Sequence, residues 1–227
     1  MIKGCIFDLD GTLLDSMTLW SDIDRIFLEK RGKVCTSEYS KAITAMEIRE
    51  TARYTIEMFA LDESVDDVIA EWHDMAVKEY TENIALKPFA KELLLSLKAH
   101  GIKLAVATSS SPLMFLPCLE RHGVAALFDS IVTSSDVGVG KTEPDIYLKA
   151  ASDLGFSSGE CAVFEDLPAG LKSAGRAGFS CIGILDDFSR DERDEVIALS
   201  DAAIEGFSEL WNEKSVIFSS MFGYNLR

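Results

Sequence analysis

Acidic and hydroxyl side chains follow short apolar stretches at several points in the sequence. Asp8 comes directly after the apolar run GCIF, and Asp10 and Gly11 follow closely. Carboxylates that lie close together raise one another's pKa, so a site built from several of them needs a positive partner. Hard oxygen ligands suit Mg²⁺, and a nearby lysine adds further positive charge. This combination indicates a phosphoryl-transfer site. The candidate residues are Asp8, Asp10, Thr108, Ser109, Lys141, Glu165 and Asp166.

The first two acids suit two different chemical roles. A carboxylate can attack phosphorus and form an aspartyl phosphate, which divides one difficult displacement into two easier steps. A second acid must then protonate the leaving alcohol and later activate water. We therefore expect Asp8 to be the nucleophile and Asp10 the acid and base. Gly11 would allow the backbone to turn tightly beside the phosphate.

The elements that position these residues have the pattern of a parallel α/β sheet. Six short β-rich runs recur, and from the second onward they alternate with segments of helical length. The runs are GCIFD, KLAVAT, SIVTS, CAVFED, SCIGIL and AAIEG. Ligands of such sheets bind beyond the carboxyl ends of the strands, which is where the polar candidates fall.

A long helical insertion separates the first two predicted strands. Residues 16–87 contain helical patterns and no convincing strand, and they are too many for an ordinary βα connection. The clearest patterns are LWSDIDRIFLEK, EIRETARYTIEMF and DDVIAEWHDMAVKEY. We expect a Rossmann-like core of residues 1–15 and 88–227 and a small all-helical cap domain of residues 16–87.

Four motifs resemble those of the haloacid dehalogenase (HAD) superfamily. They are DLDGT, ATSS, GKTEPD and VFEDLPAG, in this order. The resemblance covers essentially the whole chain, and the most similar subgroup contains the β-phosphoglucomutase-like phosphatases, in which the inserted helices form a mobile cap. It implies a Mg²⁺-dependent phosphatase acting through an aspartyl phosphate on a small phosphorylated metabolite such as a sugar or polyol phosphate.

The resemblance also implies a role for each candidate residue. Thr108 would donate to a phosphate oxygen, Lys141 would supply positive charge, and Ser109 and Gly11 would lie at the substrate. The implied metal ligands are Asp8, the backbone carbonyl of Asp10, Asp166, and Glu165 through water. Two positions depart from the usual motifs: Thr142 replaces the first proline of GKPxPD, and Leu167 replaces a common serine.

Two residues of the insertion bear on the substrate. Related mutases have an arginine at the position of Arg49 that binds a distal phosphate, and a planar guanidinium suits such a contact. The alternative is an exposed helix arginine paired with a nearby acid. Trp20 stands where those mutases have a histidine. We therefore expect a phosphatase, with a phosphosugar mutase of the β-phosphoglucomutase type as the alternative.

Other classes fit less well. SDVGVGKT lacks only the first glycine of a P-loop, with Ser135 in its place, so a P-loop NTPase is a remote alternative, which Pro144 disfavours. A calcium loop starting at Asp8 would need a glutamate where Leu19 stands. A catalytically silent interaction module is disfavoured because every motif acid is retained.

Composition limits the partners. The formal net charge of −16 opposes binding to nucleic acid or to an anionic membrane, which requires clustered lysine and arginine. The mean hydropathy is +0.12, and apolar runs are short, so we expect a cytoplasmic protein. The sequence does not indicate an oligomeric state. The aromatic residues Phe218, Phe222 and Tyr224 near the C-terminus are expected to pack against the core.

Overall fold

The computed structural model describes residues 1–43, 46 and 48–211. The strands are β1 (Gly4–Phe7), β2 (Lys103–Thr108), β3 (Ser130–Thr133), β4 (Cys161–Glu165), β5 (Ser180–Ile184) and β6 (Ala202–Ile204). They form one parallel sheet in the order β3-β2-β1-β4-β5-β6. The six predicted strands and the Rossmann-like parallel sheet are confirmed.

Helices connect the strands and fill the insertion. They are α1 (Leu19–Lys30), α2 (Ser37–Ile43), α3 (Ile48–Phe59), α4 (Val65–Glu82), α5 (Ala90–Ala99), α6 (Pro112–Arg121), α7 (Ser134–Val137), α8 (Asp145–Leu154), α9 (Pro168–Arg176), α10 (Arg193–Leu199) and α11 (Ser208–Trp211). Single 3₁₀ turns cover Ala125–Leu127, Ser158–Glu160 and Arg190–Glu192.

The strand order reverses at the centre of the sheet. The chain adds β2 and β3 on one side of β1, and then adds β4, β5 and β6 on the other. Phe7 of β1 pairs with Phe164 of β4, so Asp8 and Glu165, which follow them, lie side by side. The backbone N–H of Asp8 donates to the carbonyl of Phe164 at 3.0 Å and continues the ladder. This is the switch point at which ligands bind in such folds.

The central strands are buried on both faces, which explains their continuous apolar runs. Successive side chains of a strand point to opposite faces. Ile6 and Val163 belong to a buried cluster with side chains of α8 and α9. At the alternate positions, the rings of Phe7 and Phe164 stack with centroids 4.4 Å apart.

The chain divides into two compact units, Met1–Ser16 with Ile84 onward and Met17–Asn83. Leu14 and Leu86 form an antiparallel bridge, and the N–H of Asp15 donates to the carbonyl of Ala85 at 3.0 Å. Residues 84–87, which we expected in the helical insertion, therefore pair with the segment that follows β1. The second unit contains α1 to α4, and the first unit contains the sheet.

The helices of the second unit follow an apolar repeat of about four residues. In α4 the buried side chains are Val68, Trp72, Ala76 and Tyr80. The side chain of Ser64 accepts from the N–H of Asp67 at 3.1 Å and caps the start of this helix. The region is helical as the sequence predicts, although none of the three helical patterns covers α2.

In the first unit, α5 begins at Ala90, because Phe89 adopts a left-handed conformation with φ 64°. No helix in the described part of the chain is long and apolar enough to cross a membrane. Phe218, Phe222 and Tyr224 lie outside the described residues, so their packing stays a prediction.

Candidate active site

Three carboxylates meet at the switch point of the sheet. Asp8 follows β1, Glu165 ends β4, and Asp166 comes next. Asp8 is 5% exposed, and Glu165 and Asp166 are 1% exposed. One oxygen from each lies within 4.8 Å of the others. Because Asp8 and Glu165 lie at the carboxyl ends of neighbouring parallel strands, the fold brings together side chains that are more than 150 residues apart in the sequence.

Lys141 supplies the positive charge. Its ammonium group donates to Oδ1 of Asp8 and, at 2.8 Å, to Oε2 of Glu165. Helix α9 holds the loop that carries it: Ser173 Oγ donates to the carbonyl of Lys141 at 2.6 Å, and Arg176 donates to the carbonyl of Thr142 at 2.7 Å. Thr142, which replaces the usual proline, therefore lies in a loop that hydrogen bonds from α9 hold in place.

The cluster carries unbalanced negative charge. Burial, and then the charge of Glu165, raises the pKa of Asp8 well above its usual range, although Lys141 acts in the opposite direction. Burial and Glu165 likewise raise the pKa of Asp166 from 3.8 to about 7. Burial acts to lower the pKa of Lys141, but Asp8 and Glu165 outweigh it and raise this pKa above its usual range. When all four groups are ionised, two net negative charges remain.

Two buried oxygen atoms of the cluster are unused. Oε1 of Glu165 and Oδ2 of Asp166 have no hydrogen-bond partner among the described residues. Leaving buried acceptors unpaired is costly, so their presence points to a missing positive partner. Hard carboxylate oxygens and two excess negative charges fit a divalent cation such as Mg²⁺.

Asp10 has a different environment from Asp8. Ser16 Oγ donates to its Oδ1 at 2.6 Å, and Ser110 Oγ donates to its Oδ2. The carboxylate of Asp10 is not part of the three-acid group found among the described residues. Of the four acids that we expected at the site, three form this group, and hydroxyl groups bind the fourth.

The remaining predicted residues surround this centre. Thr108 is 1% exposed, and its Oγ1 accepts from the N–H of Ser110 at 3.1 Å. Ser109 Oγ lies 2.9 Å from Ser134 Oγ. Gly11 adopts φ 80°, a left-handed conformation that favours glycine, and so permits the turn after β1. The substrate contacts of these residues stay predictions.

The sequence did not identify several residues that shape the site. Thr12 Oγ1 donates to Oδ1 of Asp166 at 3.2 Å. The hydroxyl of Tyr147 donates to Oε2 of Glu165 at 2.9 Å. Burial raises the pKa of Tyr147 well above its usual range, so the hydroxyl remains a donor. Thr12 lies within DLDGT and could have been found, whereas Tyr147 has the signature of an ordinary core residue of α8.

The P-loop alternative is wrong. Within the glycine-rich stretch, α7 ends at Val137 and Gly138 adopts φ 74°. The next helix, α8, begins at Asp145 after Pro144. A P-loop needs a helix that starts at its lysine, whereas Lys141 lies in a turn and contacts Asp8.

The two residues of interest in the second unit are exposed. Arg49 Nη2 lies 2.6 Å from Oδ1 of Asp66, and their side chains are 61% and 77% exposed. This exposed pairing with an acid matches the alternative of a surface helix arginine, and Asp66 lies on α4. Trp20 is 47% exposed. An exposed arginine paired with a surface acid remains available to a ligand at small cost.

Known proteins resemble this chain over most of its length. The family model of haloacid dehalogenase-like hydrolases matches residues 5–184. Hexitol phosphatase A of Escherichia coli is 36% identical over 191 residues, covering 80% of this chain and 82% of that protein. The phosphorylated carbohydrates phosphatase of Thermotoga maritima is 30% identical over 181 residues, covering 80% and 84%. The crystal structure of CbbY from Rhodobacter sphaeroides in complex with phosphate has a TM-score of 0.73 at 27% identity and covers 92% of this chain and 96% of its own.

Proposed function

Because this chain belongs to the haloacid dehalogenase-like hydrolases, we propose that it is a Mg²⁺-dependent phosphatase of small sugar or polyol phosphates. One observation carries the proposal: Lys141 holds the carboxylate of Asp8 beside oxygens of Glu165 and Asp166 that have no hydrogen-bond partner in the described part of the chain. The switch point thus holds the proposed nucleophile Asp8, the ammonium group of Lys141, and carboxylate oxygens that can bind a cation. A silent interaction module would have no need to retain this costly buried charge.

The donor set fits Mg²⁺. Asp8, Asp166 and the backbone carbonyl of Asp10 would hold it, with Glu165 acting through water. When bound, Mg²⁺ neutralises the negative charge of the carboxylates and the phosphate, which allows the two to approach.

The protein's own residues supply the remaining chemistry. The ionised carboxylate of Asp8 attacks phosphorus, a bond forms between its oxygen and the phosphorus, and the ester bond breaks. Asp10 gives its proton to the leaving alcohol oxygen. Asp10 then takes a proton from the water that attacks the aspartyl phosphate, which releases inorganic phosphate and restores Asp8. Lys141 and Thr108 donate to phosphate oxygens throughout.

The substrate class follows from similarity and from the insertion. The two curated relatives described above are named as phosphatases of a hexitol and of phosphorylated carbohydrates. We propose that the helical insertion is a mobile cap that selects the substrate, with Arg49 contacting a distal group. Trp20 in place of a histidine favours net phosphate release over interconversion of sugar phosphates, because a mutase must protect its intermediate from water.

The test compares Asp8→Asn with Asp15→Asn, which changes an exposed acid of the same loop. Turnover of p-nitrophenyl phosphate and of a panel of sugar and polyol phosphates is measured with Mg²⁺ and with EDTA. We expect Asp8→Asn to lose about 10³-fold or more of turnover, and Asp15→Asn to keep it. Substantial turnover in EDTA, or an active Asp8→Asn protein, contradicts the proposal. Efficient conversion of β-glucose 1-phosphate to glucose 6-phosphate would favour the mutase.

A further inference from the structure

Among the described residues, one oxygen of Glu165 accepts two hydrogen bonds and the other accepts none. Oε2 accepts from Lys141 at 2.8 Å and from the hydroxyl of Tyr147 at 2.9 Å. Oε1 is buried and has no partner among the described residues. The side chain as a whole is 1% exposed, so water does not compete for these contacts. The two donors on Oε2 therefore fix the orientation of the carboxylate.

The packing around Tyr147 leaves its hydroxyl little freedom. Its side chain is fully buried on α8, and its ring lies edge-on to Phe179 with centroids 6.3 Å apart. Gly170 on α9 makes room for this arrangement. A Cβ at Gly170 would lie 2.6 Å from the Tyr147 hydroxyl and 2.7 Å from Cδ of Glu165, closer than real contacts allow. A glycine is thus required where the two side chains meet.

The second donor has a specific consequence for Glu165. The terminal torsion of a glutamate is broad, so a single donor does not define the orientation of the carboxylate. Without the Tyr147 hydroxyl, the carboxylate can turn so that Lys141 is shared between both oxygens. The Glu165 carboxylate would then lose its fixed orientation beside Asp8 and Asp166, although each of the three acids is still present.

We propose that Tyr147 is a positioning residue that acts through Glu165 to hold the three-carboxylate cluster in the shape that binds a divalent cation. The inference rests on the cation site of the proposed function. Residues that orient metal ligands without touching the metal commonly change its affinity by about 10–100-fold. Tyr147 is expected to contribute an effect of this size.

The test is Tyr147→Phe, which keeps the ring and removes the hydroxyl. Binding of Mn²⁺ is measured by electron paramagnetic resonance without substrate, and thermal unfolding is followed in EDTA. We expect the dissociation constant to rise about 10–100-fold and the Mg²⁺ activation curve to move to higher concentration. The matched control is Tyr39→Phe, which removes another fully buried hydroxyl, 2.8 Å from Thr55 Oγ1 in the second unit. It should alter stability and leave the Mn²⁺ affinity unchanged.

The outcomes separate this inference from the proposed function. If Tyr147→Phe binds Mn²⁺ as the wild type does, even with a lower unfolding temperature, Tyr147 has only a structural role and the inference is overturned. If affinity falls as expected but the wild type hydrolyses no phosphate ester, the positioning role stands and the phosphatase assignment fails. A wild type that binds no Mn²⁺ would overturn both.

Discussion

Replacing Asp166 with asparagine should stabilise the metal-free protein and strongly reduce its response to Mg²⁺. Asp166 is buried, and Thr12 donates to its Oδ1 at 3.2 Å, while Oδ2 has no hydrogen-bond partner within residues 1–43, 46 and 48–211. In Asp166→Asn the amide oxygen can keep the contact with Thr12. The new N–H₂ group faces the carboxylates of Asp8 and Glu165 and can donate to them. The substitution thus removes a repulsive charge and adds a donor.

The size of the effect follows from the pKa of Asp166. Its rise from 3.8 to about 7 corresponds to about 4 kcal/mol of lost stability above pH 7, since one pKa unit is worth about 1.4 kcal/mol. Burying an amide costs about 1–3 kcal/mol. A net gain of about 2 kcal/mol remains, which raises the unfolding midpoint by about 4–8 °C for a chain of this length.

The sign of the pH dependence is fixed by the same numbers. The folded pKa lies above the unfolded value, so the wild type has this stability in full below about pH 4 and loses it as the pH rises through about 7. The advantage of Asp166→Asn should therefore be greatest at pH 8 and shrink toward pH 4. Adding Mg²⁺ at about 100 times its dissociation constant stabilises the wild type by about 2.7 kcal/mol, and the variant by much less.

Calorimetry at pH 8 and pH 4.5, in EDTA and in Mg²⁺, measures all four combinations. The control is Asp187→Asn, which removes the same charge from a side chain that is 88% exposed and should change stability by no more than about 0.5 kcal/mol. The reasoning is refuted if Asp166→Asn is less stable than the wild type in EDTA at pH 8, or if both proteins gain equally from Mg²⁺.

Two further predictions concern the second unit. Burial outweighs a hydrogen bond from Tyr39 and raises the pKa of Asp24 from 3.8 to about 6. The stability that this group contributes is present below about pH 4 and lost as the pH rises through about 6. Allowing for the partial exposure of Asp24, the free energy of unfolding of Asp24→Asn should exceed that of the wild type by about 1–2 kcal/mol at pH 8 and by nothing at pH 4. Equal gains at both pH values, measured by urea unfolding, would contradict this. Arg49→Ala should raise KM by about 10-fold for sugar phosphates with a distal anionic group and leave KM for p-nitrophenyl phosphate unchanged. The control is Arg53→Ala, which changes an exposed arginine one turn along α3 and should alter KM for neither substrate. Equal effects of Arg49→Ala on both substrates would make Arg49 an ordinary surface residue.

Much of the sheet was predictable because buried parallel strands have a simple sequence pattern. GCIF and CAVFE are short, apolar and β-rich, and they form adjacent central strands. The start of α5 was less predictable, because nothing in its sequence indicates that Phe89 takes a left-handed conformation. Helix α2 has one buried residue, Tyr39, so it has no apolar repeat to recognise.

The candidate site was predictable where motif order carries the information. Asp8 and Lys141 are separated by 133 positions, and the fold brings them into contact. Tyr147 could not be found in this way, because a tyrosine in an apolar helix is usually a core residue. Gly170 and Ser173 were also hidden, because their roles depend on contacts of α9 with Tyr147, with Glu165 and with the Lys141 loop, which periodicity does not report.

The partners of Asp8 and Asp10 explain how acids two residues apart can differ in chemistry. A lysine ammonium group has only donors, so the Lys141 contact suits the ionised carboxylate of Asp8 in the nucleophilic role that we propose for it. A serine hydroxyl can donate to a carboxylate and can accept from a carboxylic acid. The contacts of Ser16 and Ser110 with Asp10 are therefore compatible with the acid and base role that we propose for it. The difference in partners originates in the backbone. Asp8 still pairs with the end of β4 through its N–H, whereas the chain turns at Gly11, directly after Asp10.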